Sequence, residues 1–197
     1  MTLFYLIRHA ESEWGPGDLG LTPAGKAQAA AVGAFLINRS LTCVFSSPLR
    51  RARETAAAIA REVGVPVVID PRLHERMNWG DVADQNWAEF AAEWDRADFD
   101  RDYVPIGGIS ARQAAANLKD FLSDTAQHSL VDTQAAVTHA GILVDFLTEF
   151  FSPQELDFLS AGWKSRQEES ITHGSITTLR WEADSPRLES LAVVVSP

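Results

Sequence analysis

The sequence predicts an α/β fold with a mostly parallel central sheet. Three observations lead there. Short β-branched or apolar runs recur along the chain, stretches with helical spacing separate them, and polar residues gather directly after three of the runs.

The first run is Leu3 to Ile7, followed at once by Arg8-His9-Ala10-Glu11-Ser12. Thr22-Pro23 then reads as an N-cap with proline at the first helical position. The helix behind it is rich in small residues (Ala24, Ala27, Ala30, Ala31, Ala34), which suits close packing on a sheet. Leu41 to Phe45 is the second strand, ending in Ser46-Ser47-Pro48-Leu49-Arg50-Arg51. From about Pro48 a second helix places Ala52, Thr55, Ala56, Ile59, Ala60 and Val63 on one buried face. Val65 to Ile69 gives a third strand and Ala111 to Leu122 a helix. A strand at Ala135 to Thr138 runs into His139-Ala140-Gly141, with a helix expected over Ile142 to Phe151. Ile176 to Trp181 and Leu188 to Val195 are the closing strands. No repeat, low-complexity tract or linker interrupts this order, so the chain reads as one domain over 1–197. The stretch 81–104 departs from it: Trp87, Phe90, Trp94, Phe99 and Tyr103 sit among acids with no clear strand. It reads either as an inserted helical lid over one sheet edge or as an amphipathic surface helix with aromatic anchors.

Composition narrows the function classes. Seventeen Lys and Arg against 27 Asp and Glu give a formal charge of −10, which attracts neither nucleic acid nor anionic membrane by bulk charge. Any anionic ligand must be held by a local positive cluster. No run approaches the ~20 apolar residues of a membrane span. The N-terminus also lacks the charged start, apolar centre and cleavage site of a signal peptide, so the expected location is cytoplasmic. Cys43, the only cysteine, lies in an apolar run and reads as a small core residue.

The local positive cluster lies in the strand ends. In open α/β sheets ligands bind outside the carboxyl ends of the strands. If the first, second and Ala135–Thr138 strands are parallel, Arg8, His9, Arg51 and His139 meet at one edge beside a helix N-terminus, as a site for a dianion.

At these residues the chain resembles a known family. Leu6-Ile7-Arg8-His9-Ala10-Glu11-Ser12-Glu13-Trp14 is similar to the signature of the histidine phosphatase superfamily, the phosphoglycerate mutase-like branch 1. Leu21-Thr22-Pro23-Ala24-Gly25-Lys26, Ser46-Ser47-Pro48-Leu49-Arg50-Arg51-Ala52-Arg53-Glu54-Thr55-Ala56, Leu73-His74-Glu75-Arg76, Val137-Thr138-His139-Ala140-Gly141 and Gly174-Ser175-Ile176-Thr177 resemble its later blocks, in order. The resemblance implies a three-layer α/β/α sandwich and a phosphatase acting on a small phosphorylated substrate. It implies His9 as the nucleophile that becomes phosphohistidine, with Arg8, Arg51 (rather than Arg50) and His139 holding the phosphoryl oxygens. Glu75 is implied as the proton donor to the leaving oxygen, a role needing a raised pKa that burial near the lid would supply. A neutral imidazole, with a pKa near ~6.5, suits nucleophilic attack at neutral pH. The donor set makes a metal unnecessary, no metal-ligand spacing such as His-Glu-x-x-His occurs, and no cofactor is expected.

Departures from the family pattern concern the substrate. The Asn that many relatives carry soon after Arg-His is missing, the Gly15–Gly20 loop is short, and Ile109 stands where an acid is common. The short loop weighs against a cofactor-dependent phosphoglycerate mutase. A protein phosphohistidine phosphatase and an inactive phosphate-binding protein are further alternatives. His74 is read as peripheral, and His128 and His173 have no supporting context. Trp79, Trp87, Trp94 and Trp163 read equally as an entrance lining or as aromatic core. Substrate and oligomeric state stay open.

Overall fold

The computed structural model describes residues 1–128, 133–163, 167–182 and 185–195. Its strands are β1 (Thr2–Arg8), β2 (Val44–Ser46), β3 (Val67–Ile69), β4 (Thr133–Thr138), β5 (Ile176–Glu182) and β6 (Ser185–Val193). They form one sheet in the order β3-β2-β4-β1-β5-β6. The first four run parallel, and β5 and β6 continue the sheet antiparallel. The sheet is therefore mixed, and mostly parallel as the alternating pattern predicts.

The helices are α1 (Pro23–Leu36), α2 (Arg50–Val63), α3 (Trp87–Phe99), α4 (Ala111–His128), α5 (Ala140–Phe150), α6 (Pro153–Leu159) and α7 (Gln167–Ser170). Strand β1 shows how the layers arise. Its side chains alternate, so Phe4 and Leu6 join Leu118 and Phe121 of α4 and Ile142 and Phe146 of α5. Tyr5 and Ile7 point the other way, to Val32 and Leu36 of α1 and Ala52, Ala56 and Ile59 of α2. The parallel strands are covered on both faces, which is why they read as continuous apolar runs. Each buried Val, Leu, Ile or Phe among these contributes about 1.5–3 kcal/mol.

Local chemistry sets the ends. Thr22 Oγ1 accepts from the Gly25 N–H at 2.9 Å and Pro23 opens α1. Asn86 and Glu89 form a reciprocal capping box on α3. The equivalent box of Ser152 and Glu155, with Pro153 at the first position, starts α6, a helix that the strand-and-helix reading passed over.

The starts of two strands differ from expectation. Strand β2 begins at Val44 rather than Leu41, because Ser40 takes a left-handed conformation (φ 53°) and the chain joins the ladder late. Cys43, expected as core, is half-buried just before it. Strand β6 starts at Ser185 and runs through Pro186, which an edge strand tolerates because one of its faces needs no donor. Among the described residues, no helix is long and apolar enough to cross a membrane.

Candidate active site

Strands β2, β4 and β1 are parallel neighbours, so their carboxyl ends open on one edge. The ladder carries one residue past each strand: the His9 N–H donates to the Thr138 carbonyl and the Ser47 N–H to the Val137 carbonyl, both at 2.9 Å. This extension fixes His9 and Ser47 on either side of His139. Both histidines are buried, with ring centroids 5.1 Å apart.

The hydrogen bonds define the state of His9. Its Nδ1 lies 2.8 Å from the Ala10 carbonyl, which can only accept, so Nδ1 carries the proton. Its Nε2 accepts from the Arg51 Nε–H at 3.2 Å and therefore presents a lone pair. Burial, then Arg51 and Arg8, hold the His9 pKa well below the usual histidine value. His139 is lowered likewise by burial, Arg51 and His9. Nε2 of His139 meets Ser47 Oγ at 2.7 Å, and its Nδ1 has no partner among the described residues.

Arg51 lies in the first turn of α2, half-buried, and also donates to Asn78 Oδ1 at 2.9 Å. Asn78 is oriented in turn by Asp81, which accepts from its Nδ2 at 2.9 Å. Arg50, the neighbour passed over in the sequence, points to the surface and pairs with Glu54 at 2.7 Å. Arg8 donates to the Ile171 carbonyl at 2.5 Å and to His173 Nε2 at 2.9 Å. His173 corrects the sequence reading: its ring is 5.3 Å from that of His9 and its pKa is lowered to about 4, by burial and then Arg8. The signal was available. An antiparallel strand begins where parallel ones end, and Ile176 of β5 pairs with Ile7, so residues just before β5 fall at the site edge. Asn78 had no such signal. His74 stands closer than expected, its ring 6.5 Å from that of His139, while His128 is exposed on α4.

Glu75 enters from the opposite side, 7% exposed. Its Oε1 accepts from the N–H groups of Arg76 and Ile142, both at 2.9 Å, and Oε2 from that of Gly141 at 3.0 Å. The carboxyl is buried as expected, yet it sits against the N-terminus of α5 rather than in apolar surroundings, and it supplies the cap that His139 does not. A Cβ at Gly141 would stand 2.6 Å from Glu75 Oε1 and 2.7 Å from Trp94, so this close approach requires glycine.

Beneath Glu75, Arg76 is almost fully buried. It pairs with Asp145 of α5 at 3.2 Å and Asp98 of α3 at 2.6 Å, and its guanidinium lies 4.1 Å from the centre of the Trp94 ring. These contacts tie the segment 81–104 to the sheet edge.

Arg8, His9, Arg51, Asn78 and His173 line a crevice of about 260 Å³ whose other wall is Trp14, Trp79, Trp87, Phe90 and Trp94. Trp163, grouped with these from sequence, belongs instead to the core around Phe146, 1% exposed. A larger groove of about 870 Å³ between α6 and β6, lined by Phe150, Phe158 and Leu188, holds none of the residues above.

A family model described as the histidine phosphatase superfamily (branch 1) matches residues 4–194. The fructose-2,6-bisphosphatase TIGAR of Xenopus laevis is 36% identical over 129 residues, covering 59% of this chain and 46% of that protein. The 2,3-bisphosphoglycerate-dependent phosphoglycerate mutase of Cytophaga hutchinsonii is 29% identical over 146 residues, covering 67% and 68%. Against several curated relatives the match spans only 38% to 50% of their length. Among solved structures, a mycobacterial glucosyl-3-phosphoglycerate phosphatase superposes with a TM-score of 0.72 at 20% identity, covering 98% of this chain and 100% of that one. The α-ribazole phosphatase of Shigella flexneri gives 0.71 at 21% identity, covering 100% and 98%. At such identities the likeness is one of fold.

Proposed function

The chain belongs to the histidine phosphatase superfamily, branch 1, and from that premise we propose that it hydrolyses a small phosphorylated metabolite through a phosphohistidine on His9. The observation that carries this reading is the His9 ring itself, whose proton is held on Nδ1 by the Ala10 carbonyl and whose Nε2 lone pair faces Arg51.

Arg51 transfers its Nε–H hydrogen bond from His9 Nε2 to a phosphoryl oxygen, and the freed Nε2 lone pair attacks phosphorus in line. The bond from phosphorus to the ester oxygen breaks, and its electron pair leaves on that oxygen. Arg8 and Arg51 hold the equatorial oxygens by charge-assisted hydrogen bonds. The Ser47 hydroxyl, whose oxygen already accepts from the Leu49 N–H at 3.3 Å, donates to His139 Nε2. That leaves Nδ1–H of His139 as a further donor to the phosphoryl group. Glu75 gives the leaving oxygen its proton. Its Oε1 is occupied by two N–H groups and its Oε2 by one, so Oε2 is the proton carrier. Water then attacks phosphorus, its proton passes to Oε2, and the P–N pair returns to His9. The sum is ester plus water giving alcohol plus inorganic phosphate, with no metal in either step. The short Gly15–Gly20 loop supports hydrolysis over a mutase, which must shield the intermediate from water.

The test is inorganic phosphate release across a panel of phosphorylated metabolites, with His9→Ala as control. Given an aryl phosphate, whose phenolate leaves without a proton, Glu75→Gln should accumulate acid-labile phosphohistidine, seen after rapid quenching. No release from any compound would overturn the reading.

A further inference from the structure

The crevice carries more information about the leaving alcohol than about the phosphate. Five aromatic side chains line the face opposite Arg8, His9 and Arg51. The rings of Trp14, Trp79 and Trp87 pack on one another, with centroids 5.1 to 5.9 Å apart. Phe90 continues the row at 5.5 Å from Trp87, and Trp94 follows at 5.9 Å from Phe90. Rings this close leave no gap in which an ammonium group could be enclosed, so the assembly is a wall rather than a box. It is also held in place. The Trp79 indole N–H donates to the Gln85 carbonyl at 3.1 Å, and the Gly17 N–H donates to the Trp79 carbonyl at 2.7 Å. Gly80 (φ 104°) lets the two loops meet: a Cβ there would stand 2.2 Å from the Gly17 nitrogen. Even so, Trp14 is 75% exposed and Trp87 48% exposed, an apolar surface left open beside a polar floor.

Charge completes the picture. Among the described residues the cations lining the crevice are Arg8 and Arg51, both of which one phosphoryl group would engage, and the remaining charged side chain is Glu13. A second phosphate or a carboxylate would meet Glu13 and no further cation among the described residues.

Resting on the phosphatase reading above, we propose that the substrate is a phosphomonoester of a flat, apolar alcohol without a second anionic group, its body stacked on Trp14, Trp87 and their neighbours. Stacking on an exposed indole is a sequence-tolerant, area-driven interaction that suits any ring with a π-face.

The experiment uses esters matched in leaving-group acidity, 2-(2-naphthyl)ethyl phosphate and ethyl phosphate, with the corresponding phosphonates as non-reacting binding probes. The naphthyl ester should show at least about thirtyfold higher kcat/KM, mostly through KM, and its phosphonate should bind correspondingly tighter than ethylphosphonate. Trp14→Ala and Trp87→Ala should each reduce that ratio about tenfold, and Trp87→Phe should retain most of it. Vanadate inhibition of each variant reports that the floor is intact. 3-Phosphoglycerate and bisphosphorylated sugars should be no better than ethyl phosphate. Phosphate release with equal efficiency on both esters would overturn the wall proposal and leave the phosphatase. So would a preference for choline phosphate over the naphthyl ester, which would mark a cation site. Selective phosphonate binding without any phosphate release would do the reverse, sinking the phosphatase reading while the wall stands.

Discussion

The two sides of the crevice are built by opposite means. The floor of Arg8, His9 and Arg51, backed by His139 and Ser47, hangs from parallel strands and a helix start, and backbone ladder bonds at 2.9 Å continue into it. The wall of Trp14, Trp79, Trp87 and Phe90 sits on loops and on α3, a helix outside the sheet layers, and reaches the sheet through Arg76. The floor is buried and polar, and among the described residues its groups, His139 Nδ1 excepted, have fixed partners and little freedom. The wall is half-open and apolar, so its rings can change without unpairing a buried donor. Under the proposed function, chemistry belongs to the first arrangement and substrate choice to the second.

The sharpest way to break this division is His9→Ala. Phosphate release should fall by at least about 10⁴-fold while binding of the naphthyl phosphonate changes little, measured by turnover and calorimetry side by side. Next comes the joint between the two sides. Arg76→Leu leaves Asp145 buried without its close partner and should lower stability by about 3–5 kcal/mol in urea unfolding. The Arg76→Met, Asp145→Leu double variant should recover most of that loss, and no recovery would mean that the pair does more than neutralise charge.

The floor should also announce itself in the pH dependence of stability. His9, His139 and His173 are held neutral in the fold, so below about pH 6.5 the unfolded chain takes up three protons that the folded site refuses. Stability then falls as pH drops, by up to about 4 kcal/mol per pH unit. Asp145 acts with the opposite sign. Burial raises it to about 7, so the folded state keeps a proton that the unfolded chain has already lost, and the net slope is reduced by roughly a third. A flat profile between pH 5 and 6.5 would contradict neutral histidines, and His139→Asn should shallow the slope. The smallest effect belongs to the wall's support. Asn86→Ala removes the α3 capping box and should cost about 1 kcal/mol, with a larger proportional loss in selectivity between the two esters than in kcat.

This contrast also explains what could be read from the chain. Arg8, His9, Arg51 and His139 follow apolar runs of regular length, and strand topology forces such residues to one edge, so their meeting there was legible in the sequence. His173 was missed because it precedes an antiparallel strand, whose start rather than its end faces the site. Asn78, in the turn after Glu75, has no periodicity to announce it, and it reaches Arg51 only because the loop is folded by Asp81. The wall could be guessed in part. Trp79, Trp87 and Trp94 line the crevice, whereas Trp163 is packed inside, and composition alone cannot tell an indole beside a ligand from one beside Phe146. Glu75 shows a subtler limit. Its burial was foreseeable, but the three N–H donors that receive it come from a helix end more than sixty residues away in sequence and from its own neighbour.

The Gly15–Gly20 loop has one further consequence. Asp18, near its middle, accepts from the Arg50 N–H at 2.5 Å and so clasps the start of α2, the helix that carries Arg51. Anchored there, the loop borders the crevice through Gly15, Gly17 and Leu19 and is restrained from swinging across the floor as a cover. Under the proposed mechanism the phosphorylated ring therefore stays open to solvent from the moment it forms, and the loop works as a timer. By holding the door ajar, it keeps the lifetime of the covalent state short.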